Sequence, residues 1–149
     1  MGNVIWNIKS FHGLSVAEIY AILKIRQEVF VVEQTCHYLD ADGSDEKALH
    51  IWAEMEGDIV AYCRIFDGNI KYREPSIGRV LTKPSARKLG LGRELMRLAL
   101  ETIENRFGSS EVRISAQDYL QKFYSEFGFC NTGKSYLEDD IPHTEMLRS

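Results

Sequence analysis

Apolar and polar residues change period several times along this chain, and each change marks an element. Val4, Trp6 and Ile8 alternate with their neighbours over Val4 to Lys9, which predicts a strand that ends before Gly13. Ser15 then supplies a helix N-cap, and Glu18 three residues on completes a capping box. Positions Val16, Ile19, Tyr20, Leu23, Gln27 and Phe30 recur every three to four residues and are assigned to that helix's inner face. Two apolar runs, Leu49 to Glu54 and Ile59 to Phe66, flank Glu56-Gly57-Asp58 and predict an antiparallel hairpin. A turn at Asp67-Gly68-Asn69 leads towards a strand over Ser76 to Thr82, which Pro84 terminates. Leu91, Leu95, Leu98, Ala99, Ile103 and Phe107 share one face of a second helix, stopped by Gly108-Ser109-Ser110. Val112, Ile114 and Ala116 form a short strand, Tyr119 to Phe127 a helix ending at Gly128, and Phe129 to Leu137 and Pro142 to Leu147 two closing strands. The order β, α, β, β, β, α, β, α, β, β predicts a mixed α/β (α+β) fold around one sheet, without repeat or linker.

Composition narrows the classes. A chain of 149 residues favours one domain over 1–149, able to bury roughly 70% of the surface its unfolded form exposes. Its 44% apolar and 27% charged fractions are those of ordinary globular proteins rather than disordered ones. The longest unbroken apolar run, Ile59 to Cys63, falls far short of the ~20 residues a membrane helix requires. The start has no basic and apolar leader, and Trp6 occupies the Ser/Thr position of a myristoylation signal at Met1-Gly2. The net charge of −4 argues against nucleic acid as a partner, as the absent span argues against a membrane. Cys36, Cys63 and Cys130 are odd in number and widely spaced, which predicts small core hydrophobes in a reducing cytoplasm rather than disulfides.

Against that acidic whole, six basic residues surround Arg87-Lys88-Leu89-Gly90-Leu91-Gly92: Arg79, Lys83, Arg87, Lys88, Arg93 and Arg97, with Glu94 the one acid among them. A strand that turns through glycines into a helix aims free N–H groups and the positive end of the helix dipole at one point, the arrangement that holds a phosphate. A second string, Gly128 to Ser135, matches G-x-x-x-x-G-K-[ST] letter for letter, yet a helix precedes it and no helix follows, so the phosphate-loop reading fails on context. Gly90 and Gly92 lack the third glycine of a dinucleotide fingerprint. His12, His37 and His50 with Cys36 form no zinc spacing, and Asp40 to Glu46 lacks the flanking helices of a calcium loop, so no metal is expected. The two acidic strings, Asp40 to Glu46 and Glu138-Asp139-Asp140, are read mainly as solvated loop charge, and otherwise as attraction for a cationic amine.

Together these motifs resemble the Gcn5-related N-acetyltransferases (GNAT), whose Arg/Gln-x-x-Gly-x-Gly/Ala signature is met by Arg87, Gly90 and Gly92. Pro84, Thr82 and the string Phe123 to Phe129, with Tyr124 followed by Phe127-Gly128-Phe129, extend the match. Val29 to Gln34, Tyr38 to Asp42, Ile77 to Val80, Ala116-Gln117, Leu120-Gln121 and Ile141-Pro142-His143 are similar to the ElaA-like branch. The resemblance implies a mostly antiparallel GNAT-type sheet flanked by helices, its central strands 4 and 5 splayed around acetyl-CoA. It implies that Leu81 and Thr82 bond the pantetheine arm, that Arg87, Lys88, Leu89, Gly90, Leu91, Gly92 and Arg93 hold the pyrophosphate, that Gln117 touches the cofactor, and that Tyr124 is the general acid. The acceptor would be a small-molecule or peptide amine, and the state monomeric or homodimeric.

An alkyl amine of pKa ~10.4 is only about one part in 10³ neutral at pH 7, so a base or a dry pocket is needed. Glu33 and His143 are the leading candidates, with Glu28 and His50 behind them. A backbone N–H on the splayed fourth strand would stabilise the oxyanion by roughly 3 kcal/mol. The rival reading is a non-catalytic acyl-CoA-binding module using the same loop.

Overall fold

In a computed structural model, which describes residues 3–149, seven strands and three α-helices follow the predicted order. The reading of Met1-Gly2 lies outside the described residues. Strands β1 (Val4–Ser10), β2 (Leu49–Met55), β3 (Asp58–Phe66) and β4 (Ser76–Thr82) form an antiparallel sheet in that order. Strands β5 (Val112–Gln117), β6 (Phe129–Glu138) and β7 (Ile141–Arg148) form a second, ordered β5-β7-β6, with the last strand between the other two. The β2–β3 turn is the predicted one: Glu56 and Gly57 both have positive φ, 52° and 82°, as a two-residue hairpin loop demands. Tyr119 to Phe127 is not one helix; a 3-10 turn at Asp118–Leu120 leads into the short helix α3 (Gln121–Ser125).

Alternation along β2 and β3 divides the core into two layers. Trp52 and Tyr62 face helix α1 (Val16–Arg26) with Ile22, Ile25 and Leu81, while Ile51, Ala53, Cys63 and Ile65 face helix α2 (Leu91–Phe107) with Leu95, Ala99 and Ile103. Fully burying a side chain of this size contributes about 1.5–3 kcal/mol, so the central pair β2–β3 anchors both helices. The capping box forms as predicted: Glu18 N–H donates to Ser15 Oγ at 3.1 Å, and Ser15 N–H to the Glu18 carboxylate at 2.8 Å. The inner face of α1 differs from the predicted one. Ile22, Ile25, Arg26 and Val29 are buried, whereas Val16 and Tyr20 are 87% and 72% exposed. Apolar residues run almost all the way round this helix, so its period selects no face, and a buried arginine sits where hydropathy would place an exposed one.

From Gln27 to Glu33 the helix widens into π-helix, with Gln34 N–H reaching Val29 carbonyl and Cys36 N–H reaching Val31. Of the cysteines, only Cys63 is a core residue; Cys36 is partly buried and Cys130 exposed on the outer strand β6. No helix among the described residues is long and apolar enough to cross a membrane.

One continuous sheet was expected, and two sheets are found because β4 and β5 separate. At their starts, Arg113 N–H donates to the Pro75 carbonyl at 3.0 Å. Glu74 takes both Nε and Nη2 of Arg113 at 2.9 Å, and Arg113 Nη1 reaches Glu145 on β7 at 2.8 Å. No strand pairing joins β4 to β5 beyond this clamp among the described residues, so the two edges diverge and leave main-chain groups of β4 free. The fold is therefore mixed α+β with antiparallel strand pairing, strands 4 and 5 splayed apart and helices flanking the sheets.

Candidate active site

The wedge between the strands opens into a cleft of about 480 Å³. Val80, Leu81 and Thr82 form one wall, the loop from Arg87 to Arg93 the floor, and Phe123 and Tyr124 of α3 the other wall. Lys88 and Gly90 both take left-handed backbone, φ 75° and 77°, which turns consecutive N–H groups towards one side. Gly90 caps α2 with no side-chain partner, leaving the first helical N–H groups available to an anion. Leu81, Thr82, Arg87, Lys88, Gly90, Leu91, Gly92 and Arg93 all line this cleft; Leu89 points outward and does not.

The surrounding positive charge is smaller than the sequence suggested. Arg79 turns away to Asp40, Arg93 pairs with Glu126, and Lys83 lies 3.8 Å from Asp58. Arg87 is held by Glu33 through two bonds of 2.6 and 2.8 Å. The hydrogen bond from Arg87 lowers the Glu33 carboxyl from its ordinary value, and burial opposes this. Glu33 lines neither this cleft nor the cavity behind it.

Behind the cleft lies a second cavity of about 430 Å³. Phe30 and Val31 of the π-helical segment and the adjoining Gln34 bound it on one side, with Ser115, Gln117 and His143 of the second sheet opposite. Val80, Leu120 and Tyr124 line both cavities, so the two spaces meet along these three residues. Tyr124 is packed edge-on against Phe123 and Phe129, at centroid distances of 5.2 and 6.0 Å, and burial pushes its phenol above the usual range. Gln117 faces this second cavity, where its amide exchanges bonds of 3.3 and 3.5 Å with Gln34.

His143 is fixed by its neighbours. A carbonyl can only accept, so Nδ1 carries the proton it donates to Ile141 at 2.7 Å, and Nε2 lies 3.3 Å from the Glu138 carboxylate. Tyr136 stacks on the ring, with planes 12° apart. The other base candidates lie elsewhere. Glu28 sits on the surface 3.8 Å from Lys24, and His50 is locked between the Tyr62 hydroxyl at 2.6 Å and the Asp45 carbonyl at 2.9 Å. Burial lowers the His50 pKa, which keeps it neutral. Sequence reasoning passed over Glu138, Gln34, Val80 and Leu120; Glu138 was visible only as one acid in a charged string.

The loop Asp40 to Glu46 is not merely solvated. Asp40 accepts from Arg26 at 2.7 Å and from Arg79 at 2.8 Å; Asp45 accepts from Arg26 and Arg64; Asp42 accepts from Arg64 at 2.5 Å. Arg26 is fully buried within this network. Desolvation opposes ionisation of Asp42, yet hydrogen bonds from Arg64 and the Ser44 N–H hold it well below the carboxylate range. These acids are taken up by internal arginines, and Asp40 and Asp42 line the second cavity together with Glu138 and Asp139.

A family model described as acetyltransferase (GNAT) domain matches residues 20–149. The chain belongs to the GNAT family. Within it the chain falls in the ElaA-like branch. ElaA of Escherichia coli K12 is 39% identical over 145 residues, 96% of this chain and 95% of that protein. The crystal structure of E. coli ElaA superposes with a TM-score of 0.91 over 99% of this chain and all of its own. That of an acyl-CoA N-acyltransferase from Pseudomonas aeruginosa gives 0.92 at 40% identity, covering 99% and 100%. A UPF0039 protein of Schizosaccharomyces pombe is 42% identical over 148 residues, 98% of this chain and 97% of the relative. The splay, glycine loop and Tyr124 motif of this GNAT chain are thus embedded in similarity along nearly its whole length.

Proposed function

We propose that the chain is an acyl-CoA-dependent N-acyltransferase that moves an acetyl group from acetyl-CoA directly to a primary amine, working as one domain in the cytoplasm. The observation that carries this reading is the meeting of two cavities at Val80, Leu120 and Tyr124. The cleft over the glycine loop suits the donor: free main-chain groups of β4 face an extended amide-bearing arm, and the Arg87 to Arg93 turn faces its pyrophosphate. The second cavity suits the acceptor. A sensing module would have no need of it, which favours the enzyme over the non-catalytic reading.

In this assignment His143 Nε2 takes a proton from the acceptor ammonium, and the carboxylate of Glu138 faces the charge that develops. The neutral amine then forms its bond to the acyl carbon, the bond from carbon to sulfur breaks, and Tyr124 gives its proton to the departing thiolate; the proton shed by the new amide nitrogen restores the phenol, and His143 returns its own to solvent. Glu33, tied to Arg87 and outside both cavities, is the weaker base candidate. Gln117 borders the acceptor rather than the donor cavity. Free-thiol release across a panel of amines, with His143→Gln alongside, tests the assignment. Acetyl-CoA turnover with at least one amine, reduced about 10²-fold or more in the variant, is expected; coenzyme binding without turnover of any amine would favour the sensing module.

A further inference from the structure

Glu33 and Arg87 are 54 residues apart in the chain and grip each other through a two-pronged contact, while Arg87 Nε also donates to the Thr82 carbonyl at 3.1 Å. The guanidinium that would meet an incoming phosphate is therefore already engaged. Both side chains are open to solvent, 41% and 36% exposed, so the pair is of the weak, exchangeable kind. A guanidinium fork fits a carboxylate and a phosphate equally well, so a pyrophosphate on the glycine loop competes for the same donors. Glu33 also ends the π-helical segment whose Phe30 and Val31, with the adjoining Gln34, wall the acceptor cavity.

We infer that Glu33 is a positioning residue that holds Arg87 in reserve until the donor's pyrophosphate takes the guanidinium from it. This rests on the donor assignment made above. The chain then has two partner states for Arg87. Without donor, the Arg87 bridge ties the π-helical segment to the glycine loop. With donor, Glu33 is released, while the Gln34–Gln117 amides still span the acceptor cavity.

The test is calorimetric titration of CoA, and of pantetheine as a ligand without pyrophosphate, into wild type, Glu33→Gln, Arg87→Ala and the double variant. Removing the competing carboxylate tightens CoA binding by about two- to fivefold, the range an exposed ion pair supplies. Pantetheine affinity stays unchanged, and in the Arg87→Ala background Glu33→Gln has no further effect on CoA. Equal CoA affinity in wild type and Glu33→Gln, or the same gain without Arg87, overturns the inference. Wild type that fails to bind CoA overturns the donor assignment instead, and melting curves confirm that each variant is folded.

Discussion

Replacing Tyr124 by Phe removes one oxygen from a side chain that lines both cavities and leaves the ring between Phe123 and Phe129. Packing is conserved, so the melting temperature should move by less than about 2 °C, the shift of a change well under 1 kcal/mol in a domain of this size. Burial raises the phenol above its ordinary ~10, and a thiol titrates near ~8.5, so proton return to sulfur is uphill by at least about 2 kcal/mol on solution values. A thiolate leaving in the same dry space is itself destabilised, which narrows that gap. General acids contribute about 10²–10⁴, and the mismatch argues for the lower end: kcat should fall about 10²-fold, near 2.7 kcal/mol in the barrier. Thiol release at saturating amine and acetyl-CoA measures kcat, and calorimetry with CoA should give a Kd within about twofold of wild type. The raised phenol stays protonated through pH 10, so no loss of wild-type rate below that pH should trace to Tyr124. A fall in kcat of less than about threefold, or a parallel loss of CoA affinity, would refute the acid role.

Gly90 sits at φ 77°, so Gly90→Ala should cost about 1–2 kcal/mol in denaturant melts, whereas a Cβ at Gly92 meets Phe123 and Thr82 at an ordinary 3.7 Å and Gly92→Ala should be well tolerated. Gly92→Trp fills the cleft, and calorimetry should show CoA affinity reduced more than about tenfold with stability little changed. Hydrogen bonds from Arg113 push the Glu74 carboxyl down to about 2, against about 4.3 in the unfolded chain; its contribution is complete above the unfolded value and disappears as pH falls through the folded one. Glu74→Gln should therefore lower stability at neutral pH, on the order of 3 kcal/mol, and converge with wild type near pH 2 in urea titrations. Arg26→Met strips Asp40 and Asp45 of one partner each, but Arg79 and Arg64 remain, so the loss should lie near the lower end of the 3–5 kcal/mol typical of broken buried pairs, about 9 °C in melting temperature.

What the sequence disclosed was whatever rests on neighbours in the chain. The capping box at Ser15 and Glu18, the Glu56-Gly57 turn and the glycine-to-helix junction at Gly90 each depend on a few adjacent residues, and each is found as expected. Pairings across long separations stayed hidden. Arg26, Arg64 and Arg79 hold Asp40, Asp42 and Asp45 across 14 to 39 residues, and nothing in a solvated-looking loop announces buried guanidinium partners. Charge counting around the glycine loop overstated the field for the same reason, since Glu33 and Glu126 arrive from distant elements. The inner face of α1 was misread because hydropathy alone does not separate Ile22 and Ile25 from Ile19 and Tyr20. The insertion of β7 between β5 and β6 is a matter of topology on which the alternation of each strand is silent.

The clamp of Glu74, Arg113 and Glu145 has a consequence for cooperativity. It joins two hydrogen-bonded ladders at one corner, so the chain carries a seam along which main-chain order is interrupted. Amides of β2–β3 and of β6–β7 belong to different ladders and open with their own free energies, giving two exchange regimes in one chain. A ligand whose amides rung the gap would lend both ladders its binding energy and merge them into one melting unit. A ligand lodged in the wedge would therefore be part of the architecture while it is bound.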